Sequence, residues 1–159
     1  NPLNFYALSK ATVDYWVLDN MDRFEQVQGF RYFNVYGEGE EHKGDQASPI
    51  SKFTKQAKET KIIKIFEDSE YAFRDFVCVD DIVDVVLDNT AGSGIYDVGT
   101  GNPISFLEIA ELIAKKEGAE IEVIPFPKHL EGKYQEYTCA DTSWYSHDYT
   151  KVSDYLKNI

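Results

Sequence analysis

Short runs rich in β-branched and aromatic residues alternate along this chain with stretches whose apolar residues recur every three or four positions, which restricts it to an α/β fold. Residues 26–36, 62–66, 76–79, 94–99 and 119–125 read as strands. Between them, helical spacing predicts a helix over 4–20, with Leu8, Ala11, Tyr15 and Leu18 on one face. A second helix follows Ser48, a cap, and Pro49, a first-turn residue, and carries Ile50, Phe53 and Ala57 inward. Helices are also predicted over 80–89 and from the capping box Ser105-Phe106-Leu107-Glu108 to about Lys116. Beyond residue 126 the chain reads as irregular, with a last short helix around 152–156.

The order of these elements is unusual. A doubly wound fold opens with a strand, a Gly-rich turn and a helix, whereas this sequence opens with a helix. The expectation is the C-terminal part of a longer protein. The 159 residues suffice for about one domain with a real core. A net charge of −12 argues against nucleic-acid binding and against an anionic membrane surface. It does not argue against a small anionic ligand, which a few local cations can hold. Cys78 and Cys139 lack CxxC spacing and read as reduced thiols. His42, His129 and His147 lack metal-ligand spacing. With no leader pattern and no apolar run long enough to cross a bilayer, cytoplasm is the expected compartment.

One pair carries chemistry. Tyr6 and Lys10 lie at i and i+4, on one face of the first helix. A nearby cation favours the phenolate form of a tyrosine, which can then exchange a proton with a hydroxyl. An ordinary helix bearing one aromatic and one surface lysine fits the same spacing. Gly99-Thr100-Gly101 follows a strand but lacks the third glycine of a dinucleotide loop, so it reads as a tight turn. The lysines at 52, 55, 58 and 61 read mainly as a solvated helix face.

Further strings share an order and a spacing. Tyr6-x-x-x-Lys10, Arg31-Tyr32-Phe33-Asn34-Val35-Tyr36-Gly37, Arg74-Asp75-Phe76-Val77-x-Val79-x-Asp81 and Asp97-Val98-Gly99-Thr100-Gly101 resemble the signposts of extended short-chain dehydrogenase/reductases. Glu41-His42-Lys43-Gly44 with Ala47-Ser48, then Phe66-Glu67-x-Ser69, Pro125-Phe126-Pro127 and Gly132-Lys133-Tyr134-Gln135, are similar to the ADP-L-glycero-D-manno-heptose 6-epimerases. The resemblance covers nearly the whole chain, weakening after about Asp141.

It implies a Rossmann-like fold, with 1–37 and about 76–101 belonging to the dinucleotide-binding domain. Residues of about 38–75 and 102–159 would then form a small α/β substrate-binding domain. It further implies NADP as cofactor, ADP-heptose as substrate and a homo-oligomeric parent, with the cofactor half outside this chain, which would then be inactive alone. Inverting a hydroxyl-bearing carbon with no acidic neighbour requires oxidation and reduction, with an acid/base on each face of the carbonyl. The resemblance gives these roles to Tyr6 and Lys43, and places Lys10, Val35 and Lys43 at the cofactor. Asn34, Gly44, Asp45, Lys52, Phe66, Glu67, Asp68, Ser69, Arg74 and Tyr134 fall at the substrate. Phe66 would stack on the base, Arg74 would clamp the diphosphate and Tyr134 would close on the sugar.

Each assignment has a plainer counterpart. Lys43 also reads as a solvated lysine among Glu40, Glu41 and Asp45; Asn34 as a turn former; Phe66 as core; Arg74 as an ion-pair partner of Asp75 or Asp81. Three positions depart from the family pattern. Lys52 stands where it often has His, Asp45 where it has Ser, and Asp68 where it has Gly. A 4-epimerase or 4,6-dehydratase of another nucleotide sugar, and a non-catalytic substrate-binding fragment, remain alternatives.

Overall fold

A computed structural model describes residues 2, 4–128 and 135–159. Its elements run α1 (Phe5–Asp19), β1 (Gln28–Tyr32), β2 (Asn34–Tyr36), α2 (Pro49–Thr60), β3 (Ile62–Phe66) and β4 (Phe73–Arg74). They continue with β5 (Phe76–Cys78), α3 (Val79–Asp88), β6 (Gly94–Val98), β7 (Ile104–Ser105), α4 (Phe106–Glu117), β8 (Glu120–Ile124) and α5 (Val152–Asn158).

The run expected as one strand over 26–36 is two. β1 pairs in parallel with β6, and β2 pairs in parallel with β5. Successive backbone N–H groups of a strand point to opposite edges. At the junction Phe33 donates to Val98 O at 3.0 Å while Asn34 donates to Asp75 O at 2.9 Å. The middle run is thus shared between two neighbours. β3 pairs in parallel with β8, and the two-residue strands β4 and β7 pair antiparallel. These last two were not foreseen, because two residues carry no periodicity.

The caps follow the sequence. Asn4 Oδ1 accepts from Ala7 N at the start of α1, and Ser48 Oγ accepts from Ser51 N at the start of α2. Ser105 and Glu108 form the complete capping box of α4, which Gly118 ends in the left-handed region with φ 62°. Ile50, Phe53 and Ala57 of α2 are buried with Ile63, Ile65, Ile109, Ile113 and Leu156 in the main core. A smaller core joins Val77, Ile82, Val85 and Val98. Burial pushes the Tyr36 phenol and the Cys78 thiol up, so both are neutral core groups.

The helix α1 departs from expectation. None of its residues is buried, and Leu8, Tyr15 and Leu18 are exposed. Apolar residues surround this helix, so periodicity could not single out the inward face. The less exposed positions are Ala7, Ala11, Asp14 and Val17. Asp14 ties the helix to β1 through Arg31 Nε at 2.7 Å. The charged loop after Gly37 contains a 3-10 segment, Glu41–Gln46, broken at Gly44, whose φ is 51°.

Candidate active site

A cavity of about 540 Å³ opens at the carboxyl ends of β3 and β8, where ligands of parallel α/β sheets are held. Phe66, the last residue of β3, forms one wall, with its ring 5.6 Å from that of Phe126 and nearly perpendicular to it. Glu67, Asp68 and Ser69 follow in a tight turn and line the same cavity, as do Lys52 of α2 and Lys64 of β3. The turn is well tied: Ser69 Oγ donates to Phe66 O at 2.6 Å, Tyr71 N to Asp68 O at 3.0 Å and Glu67 N to Ile124 O at 2.9 Å. Five expected substrate residues therefore share one cavity: Lys52, Phe66, Glu67, Asp68 and Ser69. The aromatic wall can stack on a flat ring, and the lining combines Lys52 and Lys64 with the carboxylates of Glu67, Asp68 and Glu136.

Asp68 has φ +63°. That is the left-handed region, natural for the glycine at the matching place of the family pattern and costly for a residue with a Cβ. Asp68→Gly is expected to stabilise the turn by up to about 1 kcal/mol. Thermal melts of the two forms check this; a lower melting temperature in the glycine form would refute it.

Arg74 is 7% exposed. Its guanidinium donates to Phe73 O and to Gln135 O, and lies 5.8 Å from the ring of Phe106, a cavity residue. It thus sits behind the cavity wall and joins β4 to the segment after residue 134. The ion pair with Asp75 or Asp81 considered above is not where those carboxylates are engaged. Asp75 accepts from Thr100 N, Thr100 Oγ1, Gly101 N and Ala140 N at 2.7 to 3.0 Å. Asp81 accepts from Thr150 N at 2.8 Å and faces His147 Nε2 at 3.3 Å. The Gly99-Thr100-Gly101 turn spends the N–H groups of Thr100 and Gly101 on Asp75, which supports reading it as a structural turn.

Tyr6, Lys10 and Lys43 do not line the cavity. Lys10 Nζ lies 5.3 Å from the centre of the Tyr6 ring, and both side chains are exposed on α1. Asn34 begins β2 opposite Phe76, and Val35 pairs with Val77 against the smaller core. Lys43 stands in the 3-10 segment with its ammonium 3.4 Å from Glu40 Oε1. Asp45 in the same segment offers its carbonyl to Lys52 Nζ at 3.4 Å. Gly44 permits the sharp bend between them. Tyr134 lies outside the described residues.

Sequence reading missed Gln56, Lys64, Phe126 and Glu136 as cavity residues. Gln56 was recoverable as the i+4 neighbour of Lys52. Phe126 lay within a quoted motif but carried no role until its ring met Phe66.

Parallel strands joined by helices, with a cavity beyond the strand ends, make this a Rossmann-like fold. Residues 1–99 match the NAD dependent epimerase/dehydratase family, and the chain belongs to it. Over 152 residues it is 45% identical to the ADP-L-glycero-D-manno-heptose-6-epimerase of Alkalilimnicola ehrlichii, covering 89% of this chain and 48% of that protein. The protein of the same name from Brachyspira hyodysenteriae is 46% identical over 147 residues, covering 88% of this chain and 46% of its own length. The crystal structure of the Helicobacter pylori ADP-L-glycero-D-manno-heptose-6-epimerase superposes with a TM-score of 0.81 at 27% identity, covering 99% of this chain and 50% of that one. The chain thus spans about half the length of these relatives.

Proposed function

We propose that the full-length protein carrying this chain inverts C6 of ADP-D-glycero-D-manno-heptose to the L-glycero form, supplying heptose for a lipopolysaccharide core. The observation that carries this reading is the presence, in one chain, of an exposed Tyr6–Lys10 pair and a separate lysine, Lys43, fixed in a short loop. One acid/base for each face of a carbonyl is what inversion needs. The names of the two relatives at 45% and 46% identity support the sugar and the nucleotide. Within this reading Tyr6 exchanges the hydroxyl proton on one face and Lys43 on the other. Phe66 and Phe126 hold the adenine, Lys52 and Lys64 face the phosphates, Asn34 meets the sugar and Arg74 braces the wall behind them.

A nicotinamide cofactor, NADP in this reading, supplies reversible two-electron oxidation of the sugar carbon when bound. The residues present fit its ribose: Tyr6 and Lys10 project together from the exposed side of α1, with a phenol and an ammonium available at once. Lys10, Val35 and Lys43 would hold it. Residues 1–37 and about 76–101 then belong to the cofactor domain and the remainder to the substrate domain. The parent is a homo-oligomer in this reading, as the family resemblance implies. Among the described residues no helix is long and apolar enough to cross a membrane.

The test is turnover by the full-length protein with NADP, followed by NMR at C6. ADP-D-glycero-D-manno-heptose should be inverted, and UDP-galactose should react at least about a hundredfold more slowly. Turnover of UDP-galactose without heptose inversion would replace this reading by a 4-epimerase.

A further inference from the structure

Glu40 is a carboxylate exposed by only 5%, placed where a helix cap alone would not need it. Ser48 already caps α2 by accepting from Ser51 N at 3.1 Å. In the capping box of α4 the reciprocal carboxylate comes from the third residue of the helix itself, Glu108. In α2 that position is Ser51, and the carboxylate comes from Glu40, eight residues before the cap. Glu40 Oε2 accepts from Ser48 Oγ at 2.6 Å, and Oε1 accepts from Ser48 N at 3.0 Å. The same Oε1 lies 3.4 Å from Lys43 Nζ. Lys43 N also donates to Glu40 O at 2.9 Å. The helix behind this chain of contacts is held in the main core by Ile50, Phe53 and Ala57. From its second turn, Lys52 reaches back to Asp45 O and grips the other end of the loop.

We propose that Glu40 is the positioning residue of Lys43, fixing its amine relative to the core through the Ser48 cap of α2. The inference rests on the reading of Lys43 as the second acid/base. A lysine side chain carries about 2 kcal/mol of rotamer entropy, and proton exchange with a bound hydroxyl demands hydrogen-bond reach. Each carboxylate oxygen takes one Ser48 donor at the helix start, where the helix dipole favours negative charge. The remaining lone pair of Oε1 faces the ammonium. Glu40 itself does not touch the substrate in this reading; it acts through Lys43.

The test uses the full-length protein and C6 inversion. Glu40→Gln keeps the size and an oxygen for Ser48, and loses the charge that holds the amine. Its kcat should fall about ten- to hundredfold, with KM and NADP affinity within about twofold of the parent. In a Lys43→Met background the same change should cost nothing further, because the amine it positions is gone. A carboxylate with a merely structural role would lower the residual rate of Lys43→Met as much as that of the parent, and that result would overturn the proposal. So would an unchanged kcat in Glu40→Gln while Lys43→Met is inactive, which leaves the role of Lys43 standing. Full activity in Lys43→Met instead refutes the reading of Lys43 and this inference with it. Should Glu40→Gln fail to fold, Glu40→Asp keeps the charge and loses one methylene of reach; an undiminished kcat there overturns the proposal equally.

Discussion

Tyr6→Phe and Lys43→Met, made singly in the full-length protein, should each slow C6 inversion about 100- to 10,000-fold, the range that general acid–base groups supply. The size of the loss can be assigned to chemistry because neither change should disturb the fold. Tyr6 is 71% exposed, and the Lys43 side chain is 41% exposed. Exposed substitutions away from caps and cores stay within about 0.5 kcal/mol, and a partly exposed ion pair such as Lys43–Glu40 contributes about 1 kcal/mol or less. Unfolding temperatures should therefore move little while inversion nearly stops. The two losses should not multiply in the double variant, since a proton route broken at one face already halts inversion. Full inversion by either single variant would refute the two-base scheme; loss of activity together with a collapse of the melting transition would show that the residue is structural.

The parts of this architecture legible in the sequence are those set by local rules. Ser48-Pro49 and Ser105-x-x-Glu108 specify helix starts through their own hydrogen bonds, and the helices begin there. Ile50, Phe53 and Ala57 are spaced for one face and are buried. What was not legible depends on partners distant in the chain. Nothing within residues 26–36 announces that the first half pairs with β6 and the second with β5. The cavity assembles Lys52, Phe66, Phe106 and Phe126 from four separate segments. Family resemblance reached Phe66 to Ser69 but left Lys64 and Gln56 unremarked. The deepest omission is Asp75, treated only as a neighbour of Arg74. An acidic residue set between Phe73-Arg74 and Phe76-Val77-Cys78 in an apolar run must be buried with partners, and that signal was present.

Asp75→Ala should be the most destabilising single change in the described structure, costing about 4 kcal/mol or more. The carboxylate has no measurable exposure and accepts four hydrogen bonds, three of them from the backbone N–H groups of Thr100, Gly101 and Ala140. Alanine would leave those three donors without an acceptor, the Ala140 N–H buried and the other two partly so, at up to about 1 to 3 kcal/mol each before relaxation. The carboxylate is closely packed. A Cβ added to Gly99 would already stand 2.8 Å from Asp75 Oδ2 and 2.7 Å from Ala140 Cβ. The position also matters for topology. Asp75 separates β4 from β5, and its carbonyl receives Asn34 N at the start of β2. The residue therefore joins the strand that leads to the Arg74 wall with the strand that presents Asn34, and ties both to the segment at Ala140. A small domain has only about 5 to 15 kcal/mol in hand, so the alanine form should be largely unfolded or melt many degrees lower. Asp75→Asn should fall between the two, because one of its amide atoms is a donor facing donors. Urea unfolding followed by circular dichroism orders the three proteins. An Asp75→Ala form with parental stability would mean that the Gly99–Gly101 turn and the segment at Ala140 hold their places without it.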